Sequence, residues 1–190
     1  IMMVKNHKIL IFSSGSGTNA EQIIRYFSPK PSVEVLGVYS NNPSAFVLER
    51  AKQLDVSTHV FNREQFNNPA DLLKDLQAQS PDLIVLAGFL WKIPSHIIHA
   101  FPNKIINIHP SLLPKYGGKG MYGHHIHQAV IDAKETESGI SIHYVNNQYD
   151  QGAIIFQAKT MINPDEDPDS LAQKIHKLEH RHFSEEIEKL

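Results

Sequence analysis

The chain has 190 residues, 41% apolar and 20% charged, with a formal net charge of −2 and no cysteine. This length and mix suit one folded domain with a sizeable core, and they exclude disorder, disulfides, thiolate chemistry and cysteine-ligated metals. Near-neutral charge argues against a nucleic-acid surface, and no run approaches the roughly twenty apolar residues of a membrane span. Neither nucleic acid nor membrane is therefore expected as a partner, and a cytoplasmic location is.

The opening stretch "IMMVKNHK" lacks the apolar core of a signal peptide. Ile1, ahead of Met2 and Met3, reads as a remnant placed before the natural start. "KILIFS" (8–13) is then a short apolar run closed by Ser-Ser-Gly, which predicts a buried strand. "NAEQIIRYF" (19–27) carries Ile23, Ile24 and Phe27 at helical spacing. "VEVLGVYS" (33–40) is β-branched and strand-like, "SAFVLERAKQL" (44–54) is helical, and "THVF" (58–61) is a short strand. Asn68-Pro69 predicts a cap and first-turn proline for a helix through Leu76, with Leu72, Leu73 and Leu76 facing inward. "DLIVLAGF" (82–89) is almost wholly apolar, as a central strand covered on both faces must be. "KIINIH" (104–109) is the fifth strand.

The rhythm changes after Gly139. "GISIHYV" (139–145) and "AIIFQAKTMI" (153–162) predict an antiparallel hairpin. Asp167-Pro168 starts a last helix with Leu171, Ile175, Leu178 and Ile187 on one stripe. The expected fold is α/β: a doubly wound, mostly parallel sheet with an antiparallel C-terminal hairpin and helices on both faces, in a single domain spanning 1–190.

"GSGTNA" (15–20) follows the first strand and opens the first helix, matching G-x-G-x-x-A in the right context. Glycines there let backbone N–H groups at a helix start approach an anion. A dinucleotide would also need a carboxylate at the end of the second strand, where this chain has Tyr39-Ser40-Asn41-Asn42. A phosphate cradle is the better reading, and a glycine turn without ligand is the plain one.

Residues two apart in a strand face one side, so Asn107 and His109 project together from the carboxyl end of the fifth strand. In open α/β sheets that end is where ligands sit. An Asn amide donates to an oxygen turning negative, and His moves protons near neutrality. A lone His in an apolar strand is otherwise a core residue. Asp150, beside Gly152 in "NNQYDQG" (146–152), is by itself an ordinary turn residue. His124, His125 and His127 invite a zinc reading, but alternate helical positions splay apart and no acidic ligand adjoins them, so no metal is expected.

"GSGTN", "LAGFLWKI", "NIHPSLLPKY" and "GISIHYVNNQYDQGAII", in this order and spacing, resemble the folate-dependent phosphoribosylglycinamide formyltransferases over nearly the whole chain. The resemblance implies a catalytic trio of Asn107, His109 and Asp150. It implies a substrate phosphate held at Gly17, Thr18 and Asn19, and further contacts to that substrate from His176 and Glu179. Folate would be held by Leu90, Trp91, Lys92 and Ile93 and by the hairpin loop Asn146, Asn147, Gln148 and Tyr149. It implies a phosphate-binding half of about 1–100 and a folate and catalytic half of about 101–190. 10-Formyltetrahydrofolate would be the co-substrate, glycinamide ribonucleotide the acceptor, and the assembly a monomer or homodimer.

Two departures stand out. Trp91-Lys92 occupies a place where Arg followed by an apolar residue is common, and "GGKGMYG" (117–123) is longer and richer in glycine than the usual loop, suggesting a lid. Two relatives share the trio. The hydrolase that releases formate from formyl-tetrahydrofolate carries an extra N-terminal domain, and the enzyme acting on initiator methionyl-tRNA a basic C-terminal one. This sequence starts at a strand and stops after "EEIEKL", so the glycinamide-directed enzyme is expected. A nucleotide-binding module without catalysis is the reading from another class, and the filled trio speaks against it.

Overall fold

The computed structural model describes residues 6–190, so the reading of Ile1 and the start of "IMMVKNHK" lie outside the described residues. Seven strands form one sheet in the order β3-β2-β1-β4-β5-β6-β7. They are β1 (His7–Phe12), β2 (Val33–Ser40), β3 (Thr58–Val60), β4 (Leu83–Leu86), β5 (Ile105–His109), β6 (Glu137–Tyr144) and β7 (Ile154–Met161). β1 pairs in parallel with β2 and β4, and β2 with β3, while β6 and β7 are antiparallel. Strand order reverses at β1, which is why the loops leaving β1 and β4 lie side by side.

The chain divides into two compact units, one ending at Ile106 and one running from Asn107 to Leu190. In the first, α1 (Thr18–Phe27) and α2 (Phe46–Gln53) pack against each other and against β2. α1 buries Ala20, Ile23, Ile24 and Phe27, the helical spacing predicted. In the second, α6 (His124–Asp132) packs on α7 (Pro168–Glu188), and α7 covers β6 and β7.

Three expectations need correction. Asn68-Pro69 does not open a helix: Asn68 caps the end of the short α3 (Arg63–Asn67) and turns the chain by accepting the Ala70 N–H at 3.0 Å. α3 starts at a reciprocal capping box between Asn62 and Gln65, and α4 (Leu72–Gln79) follows, with Leu72, Leu73 and Leu76 buried as predicted. α5 (Ser95–Ala100) fills a stretch for which no helix was predicted; it is under two turns, too short for a periodic signal. On α7 the buried stripe is Leu171, Ile175, Glu179, Phe183 and Ile187, while Leu178 is only half-buried. The carboxylate of Glu179 sits where a strict apolar pattern would place a Leu.

Candidate active site

The loop after β1 is shaped by its glycines and by α2. Gly17 caps α1 with a left-handed φ of 77°, and a Cβ there would run into Val47. The Val47 N–H donates to the Gly15 carbonyl at 3.1 Å, and Arg50 Nε donates to the Ser16 carbonyl at 2.6 Å while pairing with Glu21. Thr18 and Asn19 are the first residues of α1, with no side-chain cap on its end. Asn19 Oδ1 is buried without a partner. The start of α1 is thus a positive helix end without a side-chain cap, a place that favours an anion, whereas Asn19 Oδ1 is an acceptor in need of a donor.

The segment after β4 carries the predicted folate contacts Leu90, Trp91, Lys92 and Ile93. Leu90 and Lys92 are exposed and Ile93 is buried. Trp91 joins an aromatic cluster with Phe61, Phe66 and Phe89, and the Arg63 guanidinium lies 3.8 Å from its ring centre. That placement is a cation–π contact, which pins the indole from one face.

In the second unit the trio assembles. His109 Nδ1 lies 3.6 Å from Asp150 Oδ1, both side chains being nearly buried. Asp150 adopts a left-handed φ of 55°, a conformation that Asp tolerates better than most residues. It aims Oδ1 at the imidazole, while Oδ2 accepts the Gly118 N–H at 2.9 Å. Next to it Gly152 has no room for a Cβ, which would strike the Tyr144 carbonyl. Asp150 is therefore set by the turn as well as part of it. His109 Nε2 lies 2.8 Å from the Tyr116 carbonyl, and because a carbonyl only accepts, Nε2 carries a proton.

A fourth residue was missed in the sequence. His143 on β6 lies with Nε2 3.2 Å from Asn107 Nδ2 and 3.7 Å from Asp150 Oδ1, and Nδ1 2.9 Å from the Tyr144 carbonyl. Burial holds its imidazole below the ordinary range, against the opposing pull of the Tyr144 carbonyl and Asp150. The ring is neutral, and its single proton sits on Nδ1, donated to Tyr144. Nε2 must then accept, so the Asn107 amide nitrogen faces His143. The signal lay in "SIHY" (141–144), a polar pair two apart in a buried strand like Asn107 and His109.

The loop after β5 is tied down. Ser141 Oγ donates to the Ser111 carbonyl and accepts the Leu113 N–H, Gln157 donates to the Leu113 carbonyl, and Ser111 Oγ donates to the Lys115 carbonyl. The Leu113–Pro114 bond is cis. A cleft of about 360 Å³ opens among Leu113, Pro114, Gly117, Tyr149, Asp150 and Ile154. Of the predicted hairpin loop, Tyr149 lines it, while Asn146 turns inward on the loop by accepting the Gln148 N–H. Asn147 and Gln148 are exposed.

On α7, Glu179 is buried and accepts from the exposed His176 across 2.8 Å; this hydrogen bond chiefly holds the His176 imidazole above its ordinary value, burial opposing it. Burial lowers His127 and His180 instead, and each keeps one buried ring nitrogen without a partner. The α6 histidines part company: His127 is buried, His124 and His125 are exposed. Among the described residues, no group of three or more His, Asp or Glu could hold a metal ion, and no helix is long and apolar enough to cross a membrane.

The chain matches the formyl transferase family over residues 7–187. It is 37% identical over 186 residues to the trifunctional purine biosynthetic protein adenosine-3 of Drosophila melanogaster, covering 94% of this chain and 13% of that protein. It is 33% identical over 189 residues to a chloroplastic phosphoribosylglycinamide formyltransferase of Arabidopsis thaliana, covering 96% of this chain and 65% of that one. The chain thus spans less than two thirds of either relative. A solved phosphoribosylglycinamide formyltransferase of Coxiella burnetii superposes with a TM-score of 0.84 at 38% identity, covering 95% of this chain and 85% of that one.

Proposed function

Because the chain belongs to the formyl transferase family, we propose that it moves a formyl group from 10-formyltetrahydrofolate to the amine of 5′-phosphoribosylglycinamide, in purine biosynthesis. Residues 7–187 serve as one formyltransferase domain built from the two compact units. The observation that carries the reading is the closed polar set Asn107, His109, His143 and Asp150, because it supplies what formyl transfer needs and little else.

The uncharged amine attacks the formyl carbon: a C–N bond forms and the carbonyl π electrons move onto oxygen. Asn107 has one amide N–H committed to His143 and offers the other to that oxyanion. His109 Nε2–H, which faces the Tyr116 carbonyl in the free chain, is the second donor when the substrate oxygen competes for it. Asp150 orients the imidazole and holds the water through which the amine proton passes. The proton ends on the folate nitrogen as the C–N bond to folate breaks. Holding two substrates together contributes separately from any proton transfer.

Gly17, Thr18 and Asn19 hold the substrate phosphate, Glu179 with His176 contacts the same substrate, and residues 90–93 and 146–149 hold the folate. The protein acts in the cytoplasm as a monomer or homodimer. An assay of formyl transfer from 10-formyltetrahydrofolate to glycinamide ribonucleotide tests the proposal, with product formation expected. Formate release without transfer would move the assignment to the hydrolase. Ligand binding with neither reaction would leave a non-catalytic module.

A further inference from the structure

Tyr39-Ser40-Asn41-Asn42 lacks the acid that a dinucleotide would require, and the function proposed above leaves Asn41 without a task. The structure gives it one through Ser14. Ser14 is buried two residues past the end of β1, directly before the glycine loop. Its hydroxyl donates to Asn41 Oδ1 at 2.7 Å and accepts the Leu90 N–H at 3.0 Å. Its own N–H donates to the Gly88 carbonyl at 3.0 Å. One hydroxyl, with one proton and two lone pairs, thereby joins the segments that follow β1, β2 and β4 in the first unit.

The bond to Leu90 matters because of what surrounds it. Gly88 has a left-handed φ of 74° with open space around it, and Leu90 is 59% exposed. Phe89, Trp91 and Ile93 anchor their own side chains by packing. Packing does not fix the plane of the Leu90 peptide, and the Ser14 hydroxyl does. The glycine loop, by contrast, has its own anchors in Val47 and Arg50.

We propose that Ser14 is a positioning residue for the folate-holding segment 90–93: it fixes the Leu90 peptide, with Asn41 turning the hydroxyl so that a lone pair faces that N–H. The Leu90 N–H is therefore not one of the groups that read the folate. This rests on the assignment of 90–93 to folate.

The test uses the full chain and its Ser14→Ala and Asn41→Ala variants. Trp91 is the sole tryptophan, so its fluorescence reports 10-formyltetrahydrofolate binding independently of turnover. Ser14→Ala is expected to weaken folate binding about tenfold, the order of one hydrogen bond lost from a part-buried donor, and to leave KM for glycinamide ribonucleotide within about threefold. Asn41→Ala, which keeps the acceptor for Leu90, should have the smaller effect. Leu90 amide hydrogen exchange should accelerate at least about tenfold in Ser14→Ala. Should that variant fail to fold, Ser14→Cys, a weaker acceptor of similar shape, should give an intermediate loss on both readouts. Unchanged folate affinity, an equal rise in both constants, or unaltered Leu90 exchange overturns the proposal. If the unsubstituted chain binds no folate, the assignment of 90–93 fails instead, and Leu90 exchange alone still reports whether the clamp exists.

Discussion

His143 Nε2 accepts a hydrogen bond from Asn107 Nδ2 at 3.2 Å, so a histidine with no charge decides which way an asparagine amide points. The amide of Asn107 could be reversed without changing its shape. The Tyr144 carbonyl prevents this at one remove, by holding the only ring proton on Nδ1. At pH 7, 15N NMR should find the His143 proton on Nδ1. Since burial lowers its pKa, the ring should gain a second proton only below about pH 6.5. Protonation on the acid side removes the acceptor for Asn107, so turnover falls with it. A proton on Nε2 at neutral pH would overturn the chain of orientation.

Asn107→Ala should lower kcat on the order of a hundredfold with little change in either KM, as expected for an oxyanion donor. His143→Ala should cost about tenfold, because it loosens that donor without deleting it. The double variant should be little worse than Asn107→Ala alone. Steady-state kinetics of the three proteins decide this; near-wild-type turnover in Asn107→Ala sinks the assignment.

His176 and Glu179 make a pH-dependent contribution to stability. The folded pKa of His176 is raised, so the stabilisation is complete below the unfolded value of about 6.5 and is lost as pH rises through the folded one. His176 is 58% exposed and its pair is well screened. The melting temperature of His176→Ala should therefore trail wild type by only about 1–2 °C at acidic pH, with the gap closing toward alkaline pH. A gap constant across that range would contradict the pairing.

Gly17→Ala combines a left-handed backbone with a methyl group driven into Val47. It should destabilise the chain on the order of 3 kcal/mol, from the conformational penalty and overpacking together. Urea unfolding measures it, and a loss under about 1 kcal/mol would mean that α2 can retreat from the loop.

Much of this was legible in the sequence because period and punctuation carry it. β2 matches its expected bounds, and the Asp167-Pro168 helix start is observed. The face shared by Asn107 and His109 follows from strand alternation alone. Asn68-Pro69 misled because a cap signal does not say which helix it serves, and the Asn62 box upstream had already used the register. Glu179 was named through the resemblance, but its place in the buried stripe was not foreseen, because burial of a carboxylate depends on a partner, His176, that periodicity does not weigh. Asp150 could not be told from a turn residue, since a left-handed turn position and a carboxylate partner for His109 call for the same residue type. The resemblance, and not the pattern, drew it out.

Every hydrogen bond and ion pair described among Asn107, His109, His143, Asp150, Tyr116 and Gly118 closes within residues 107–190. The loop bonds that shape 15–19 and 88–90 close within the first 106. Substitutions in the earlier half can accumulate without breaking a bond of that polar set, and the reverse holds as well. Inheritance can therefore reshape the loops at 15–19 and 88–90 on one schedule and the polar set around His109 and Asp150 on another, although both belong to one chain.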